Sequence, residues 1–209
     1  TMRYTGLPGG PADAMMDSVY FSQWSDPDLG AYTDDFVGCD VDLSLGYVYN
    51  GNTLDGVFDG IYGMPVPASG FDFLQGPPDT YDLDGDGDQD EYLPMTSFTY
   101  FGAGAVISDP DLSSYSGSLQ WYNLMEGFLP RPEYPTQVPY TDYTTGEITK
   151  FALSGNPLYG SGWVDGFEIP AGDRRMVMSS GPFRMNLGEQ IDVVVAILGS
   201  QGMNNIESV

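Results

Sequence analysis

The residues best able to do chemistry in this chain are its aspartates, and their spacing is that of metal ligation. Asp82-Leu83-Asp84-Gly85-Asp86-Gly87-Asp88-Gln89-Asp90 fits the pattern D-x-D-x-D-G-x-x-D. Side-chain oxygens at positions 1, 3, 5 and 9 of such a loop converge when a glycine at position 6, here Gly87, lets the backbone turn sharply. The carbonyl of Asp88, at position 7, supplies a further oxygen. Asp82, Asp84, Asp86, Asp88 and Asp90 are therefore the first candidate metal ligands. Position 12 is Leu93 where a helix–loop–helix calcium hand carries Glu, and no amphipathic helix flanks the loop. Asp90, a water or a distant carboxylate must then complete the shell. The competing account is a solvated acidic turn. It leaves crowded carboxylates without a divalent cation to neutralise them.

A second, looser cluster contains Asp26, Asp28, Asp34, Asp35 and Asp40, with Asn50, Asn52 and Asp55 after the next strand. If strands at 18–24 and 36–49 pair, their ends bring several of these oxygens together. Hard oxygen donors without His select calcium over zinc or copper. Ordinary aspartate turn and cap chemistry is the alternative.

Composition supports bound cations. The chain holds 23 Asp against 7 Glu, and 15 of those Asp lie between Asp26 and Asp90. From Tyr4 to Pro130 there is no Lys or Arg, against 19 Asp and 2 Glu. A surface built for solubility alone could use Glu as readily. Asp is the shorter carboxylate, favoured in turns and tight cation loops. The net charge of −24 argues against nucleic acid or anionic lipid as partner, since both need a cationic face. No segment reaches the length of an apolar membrane span.

Absent residue types exclude whole classes of chemistry. There is no His, so imidazole triads and metal sites are ruled out. No nucleophile elbow, phosphate loop or zinc-protease motif occurs. A pair of acids could serve a glycosidase, but with so many acids some pair always meets that test. The expectation is a non-enzyme. Cys39 is the only cysteine and reads as a small buried apolar residue. Trp163, set among glycines in Gly160-Ser161-Gly162-Trp163, is the candidate for an exposed ring that stacks on sugar; core packing is the competing account.

Gly and Pro, 28 and 16 residues, punctuate the chain and leave short runs that read as strands. These are 19–24, 43–49 (stopping at Asn50-Gly51), 71–74, 96–101, 174–178 (ending at Ser-Ser-Gly-Pro) and 191–198. The last is the most apolar, and fits a central strand covered on both faces. One helix is expected from Ser118 to Phe128, ended by Pro130. Tyr140 to Phe151 reads as a hairpin turning at Thr145-Gly146. The pattern predicts a mainly β chain, an antiparallel β-sandwich of jelly-roll or Greek-key type with one short helix and long Gly/Pro-rich loops. It is read as a single β-rich domain over 1–209, with a loop or hairpin insert at about 130–165. Thr1 opens without an initiator Met and no basic-then-apolar leader follows, so the chain reads as a piece of a larger protein.

Several segments, in order along nearly the whole chain, resemble a largely uncharacterised region of large secreted proteins of the Bacteroidota. They are Asp26-Pro-Asp-Leu-Gly, Asp34-Asp-Phe-Val-Gly-Cys-Asp40, Leu45-Gly-Tyr-Val-Tyr-Asn-Gly51, Gly70-Phe-Asp-Phe-Leu-Gln-Gly-Pro77, Trp121-Tyr-Asn-Leu-Met-Glu-Gly127 and Ala171-Gly-Asp-Arg-Arg-Met-Val-Met-Ser-Ser-Gly-Pro-Phe183. Those proteins often end in a type IX secretion sorting domain, which is not present here. Leu187-Gly188-Glu189 stands where they typically have Pro-Gly-Asp. The loop at Asp82 resembles the isolated calcium loops of dockerins and thrombospondin-type repeats. The resemblance implies export and a multidomain parent, and carries over no catalytic residue.

The expected function is a calcium-stabilised, non-catalytic structural or adhesive module of an exported bacterial surface, matrix or filament protein. The alternative is a carbohydrate-binding module of a secreted hydrolase. Expected partners are further copies of the chain, neighbouring domains of the same protein or a glycan, with no nucleic acid and no membrane insertion.

Overall fold

The computed structural model describes residues 1–82, 85, 87, 91–102, 109–131 and 137–209. Along the chain run β1 (Met2–Arg3), β2 (Met15–Ser25), β3 (Asp35–Asp40), β4 (Leu45–Asn50), α1 (Phe58–Tyr62), β5 (Ala68–Gln75) and β6 (Ser97–Gly102). Then come α2 (Tyr115–Met125), β7 (Tyr140–Thr141), β8 (Ile148–Thr149), β9 (Arg174–Asn186), β10 (Gln190–Ile191) and β11 (Val194–Ser200). The chain is mainly β, and all of these strands pair antiparallel. A four-stranded sheet has the order β11-β5-β4-β3 and a three-stranded sheet the order β2-β9-β6. Two minor pairs, β1-β10 and β7-β8, complete the set among the described residues.

The two larger sheets share one core, as in a β-sandwich. Val37, Cys39, Val48 and Phe73 come from the four-stranded sheet and meet Phe98, Tyr100, Met176 and Met178 of the other. Alternation along each strand puts these side chains on one face. At Gly46 a Cβ would lie 2.7 Å from Met178 Sδ and 3.0 Å from the Phe98 ring, so a side chain here would force the sheets apart. Tyr140, Ala152, Leu153 and Trp163 belong to the same core. Residues 130–165 thus help to fill the interior. The hairpin lies within them: β7 pairs with β8 and Gly146 turns at φ +75°.

Three expectations are corrected. The strands at 18–24 and 36–49 do not pair: β2 joins β9, while β3 pairs with β4 in the other sheet. The strand from Arg174 does not stop at Ser-Ser-Gly-Pro but runs on to Asn186 as the centre of its sheet. Pro182 is tolerated there because the register of β2 against β9 slips between Val19 and Phe21, where a missing N–H breaks no regular ladder. The apolar run at 191–198 is no central strand. It breaks after Ile191, and β11 forms the outer edge of its sheet, with Ile197 75% exposed.

The expected helix is present but shifted. α2 starts where the Ser114 side chain accepts a hydrogen bond from Gly117 N, an N-cap in the ordinary sense. It ends before Gly127, at φ +84°, rather than at Pro130. Trp121 and Leu124 pack it on Phe101 and Val177. The short helix α1 has no apolar periodicity in the sequence to mark it. Asp55 starts it, its Oδ1 accepting from Val57 N at 2.7 Å and Phe58 N at 2.8 Å.

Candidate cation site

Antiparallel pairing of β3 and β4 sets Asp35 directly opposite Asn50. Residues in that relation stand on one face of the sheet. It is the core face, because Val37 and Val48, two positions along each strand, lie in the core. Asp35 is 1% exposed and Asn50 0%. Beyond them the chain closes through Gly51 N, which donates to Asp34 O at 2.6 Å. Asn52 Nδ2 donates to Asp34 Oδ2 at 2.8 Å. Asp55 lies on the same side: Asn50 Nδ2 reaches Asp55 Oδ2 and Asp34 Oδ1, each at 3.4 Å. Gly30 passes so close that a Cβ there would lie 2.6 Å from Asp55 Oδ1. Its φ of +70° and its missing side chain allow the approach.

Among the described residues no Lys or Arg pairs with Asp34, Asp35 or Asp55 at this end of the sheet. Asp35 Oδ2 accepts from Leu29 N at 3.0 Å. Asp35 Oδ1 and Asn50 Oδ1 are buried without a hydrogen-bond partner. Burial pushes the Asp35 carboxyl up to about 7, against the pull of the Leu29 N–H and with the neighbouring charges of Asp34, Asp28 and Asp55 adding to the rise. Asp55 behaves oppositely. Burial opposes its charge, but hydrogen bonds from Phe58, Ala31, Val57 and Asn50 outweigh that and hold its pKa below the usual carboxylate value. A buried carboxylate oxygen with no donor is costly. A cation or a proton relieves it.

The structure divides the looser cluster into three places. Asp34, Asp35, Asn50, Asn52 and Asp55 come together as described, with Asp28 near enough to raise the Asp35 pKa. Asp26 and Asp28 also meet Asp173. Among the described residues these three are the one acidic group whose oxygens lie within 4.8 Å of one another. Arg175 already serves that group: its guanidinium pairs with Asp26 at 3.1 Å, with Asp109 at 3.4 Å and with Asp173. Asp26 and Asp28 are exposed. The need for a metal is therefore weaker there than at Asp35. Asp40 lies at the far end of β3, five residues or about 17 Å from Asp35, and its Oδ1 accepts from Leu43 N in the hairpin turn.

Of the first candidate loop, Asp84, Asp86, Asp88 and Asp90 lie outside the described residues. Asp82, at position 1, accepts from Gly87 N with both carboxylate oxygens at 3.2 Å. Gly87 has φ +87°, the turn expected of the glycine at position 6. Trp163 is 2% exposed and packs at a tilt of 47° against Tyr140, centroids 6.4 Å apart. This corrects its reading as an exposed stacking ring: Gly162 packs against Gly155, where a Cβ would lie 3.1 Å from Gly155 Cα, and Gly155 N donates to Trp163 O at 2.8 Å.

Two features were missed in the sequence. Asn205 Nδ2 donates to Asn50 O at 2.6 Å, and its own Oδ1 is buried and unpartnered. Asp165 and Arg174 form a buried two-pronged ion pair, with Nε–Oδ2 at 2.8 Å and a nitrogen of the other prong 3.0 Å from Oδ1. Only the adjacent arginines in an acid-rich chain hinted at the second. Comparison with known proteins finds no family model that matches the chain, and no curated protein or solved structure similar to it.

Proposed function

We propose that this chain is a calcium-stabilised, non-catalytic structural or adhesive module of an exported bacterial surface, matrix or filament protein. The observation that carries the cation is Asp35: a carboxylate inside the protein, one oxygen without a donor, beside an equally unpartnered Asn50 oxygen and among further acids. Asp35 and Asn50 would hold the ion, with Asp34 or Asp55 beside them, and hard oxygen donors of this kind suit calcium. The ion would neutralise the cluster and stabilise only the folded state, by about 2.7 kcal/mol at a hundredfold excess over its dissociation constant. The Asp82 loop is the second place for such an ion. Export rests on the segments that resemble secreted proteins. The carbohydrate-binding alternative loses its stacking residue, because Trp163 is in the core.

Thermal unfolding in calcium and in EDTA tests this reading. The midpoint is expected to rise by several degrees with calcium. Asp35→Asn should reduce that rise, and the double change Asp84→Ala, Asp86→Ala should remove the loop's share. A midpoint that ignores calcium sinks the proposal.

A further inference from the structure

Side-chain oxygens that are buried without a donor gather at one place in this molecule. Among the described residues there are three: Asp35 Oδ1, Asn50 Oδ1 and Asn205 Oδ1. They come from stretches far apart in sequence. Asp35 opens β3 and Asn50 closes β4, and the two pair directly. Tyr49 is the last residue of β4 to pair with β5. At Asn50 the amide of Asn205 takes the place of a further β5 residue, its Nδ2 donating to Asn50 O at 2.6 Å. That bond fixes the amide: only its NH2 end can donate to a carbonyl, so Oδ1 is the end left over. The two ends of an amide are about 2.2 Å apart, which leaves Asn205 Oδ1 within about 5 Å of Asn50 O. The turn that carries Asn205 is docked on the same sheet. Ser208 Oγ bonds to Val66 O at 2.6 Å, Gln201 Nε2 donates to Pro65 O at 2.8 Å, and Ile206 packs against Tyr47 and Tyr49. Three acceptors buried together without donors are costly unless one positive centre serves them.

We infer that Asn205 Oδ1 is a further ligand of the cation, so that the ion clasps the turn at 201–209 to the ends of β3 and β4. The inference rests on the cation reading given above, and adds to it a neutral oxygen and a mechanical consequence. Calcium takes about six to eight oxygens, amide carbonyls among them. Asp35 and Asn50, with Asp34 or Asp55, leave room for one more. Without the ion the turn is held by its bonds to Val66 and Pro65 and by Ile206. With it, the turn is also tied through Asn205 to the carboxylate of Asp35.

The test is calorimetric titration of calcium into the chain carrying Asp84→Ala and Asp86→Ala, so that the loop at Asp82 does not contribute. In that background Asn205→Ala is expected to weaken calcium binding about tenfold or more. Ser208→Ala loosens the same turn without removing an ion ligand, and should leave the affinity within about threefold. Hydrogen exchange gives a readout that needs no change at Asn205. The amides of Gly202 and Ser208 are both bonded within the turn, and calcium should slow their exchange about tenfold. If Asn205→Ala binds calcium within about threefold of the background chain, the inference is overturned and the cation reading stands. Equal weakening by Asn205→Ala and Ser208→Ala overturns it as well, since the docking of the turn would then matter and not the oxygen. So does calcium that binds without slowing exchange in the turn. A background chain that binds no calcium defeats the cation reading at Asp35 itself, and the inference with it.

Discussion

The two outer strands of the four-stranded sheet are treated in opposite ways. On β3 every second residue finds a partner beyond the sheet. Asp35 O accepts from Gly172 N at 3.1 Å, Val37 N donates to Asp165 Oδ2 at 3.0 Å, and Cys39 N donates to Leu153 O at 3.2 Å. Segments around residues 153–172 thus close this edge as a further strand would, through a carboxylate and two loop backbones. On β11 the described residues supply no such bonds. The lesson is that apolar content does not decide which strand is buried. β11 is as β-branched and oily as any central strand, yet it is exposed. β3 begins and ends on Asp and is enclosed.

The sharpest way to break this contrast is to remove the carboxylate that closes β3. Asp165→Ala leaves Val37 N without its acceptor and Arg174, 3% exposed on its side chain, without its counter-charge. Breaking a buried pair by deleting one partner costs about 3–5 kcal/mol. In urea unfolding this should appear as a large fall in midpoint. A loss under about 1 kcal/mol would mean that the loops hold the edge without the ion pair.

A smaller effect is expected from pH at the end of the same strand. The folded Asp35 carboxyl titrates at about 7, above the ordinary carboxylate value near 3.9. The native state therefore keeps a proton that the unfolded chain loses, and stability falls as pH rises between those two values. Asp55 has the opposite sign, but its window lies below the ordinary value, so the two do not overlap. In chelator, unfolding free energy should decline by a few kcal/mol from pH 4 to 7, and Asp35→Asn should flatten that slope. Calcium binds the ionised form, so its stabilisation should grow across the same range. A slope unchanged by Asp35→Asn would assign the titration elsewhere.

The smallest effect belongs to β11. Ile197→Lys replaces a side chain already 75% exposed and should change unfolding free energy by less than about 0.5 kcal/mol. A larger loss would show that Ile197 is covered in solution and would erase the difference between the two edges.

Much of the architecture could be read beforehand from local chemistry. Gly and Pro spacing marked most strands, and Thr145-Gly146 marked the hairpin, where Asp142 Oδ1 accepts from Thr144 N at 2.7 Å. Long-range choices could not be read in this way. Whether β2 meets β3 or β9 depends on which faces fit across the core, and Gly46 opposite Met178 and Phe98 is visible as a fit only in three dimensions. The candidate site was half legible. Asp34, Asp35, Asn50, Asn52 and Asp55 were named from composition and strand ends, and strand register brings them together. Asp40 shares the sequence signal of this group but not its place, because β3 separates it from Asp35 by the full length of the strand. Asn205 carried no signal, because its role depends on the end of the chain folding back to Asn50.

Cys39 gives the closed edge a readout of its own. Its Sγ is 3.5 Å from Ala152 O, and burial drives the thiol pKa far above its ordinary value, with the charge of Asp40 adding to the rise. As the sole sulfhydryl of the chain, it is inert to alkylating reagents until β3 parts from residues 152–153. The pace of alkylation is therefore a clock for that parting.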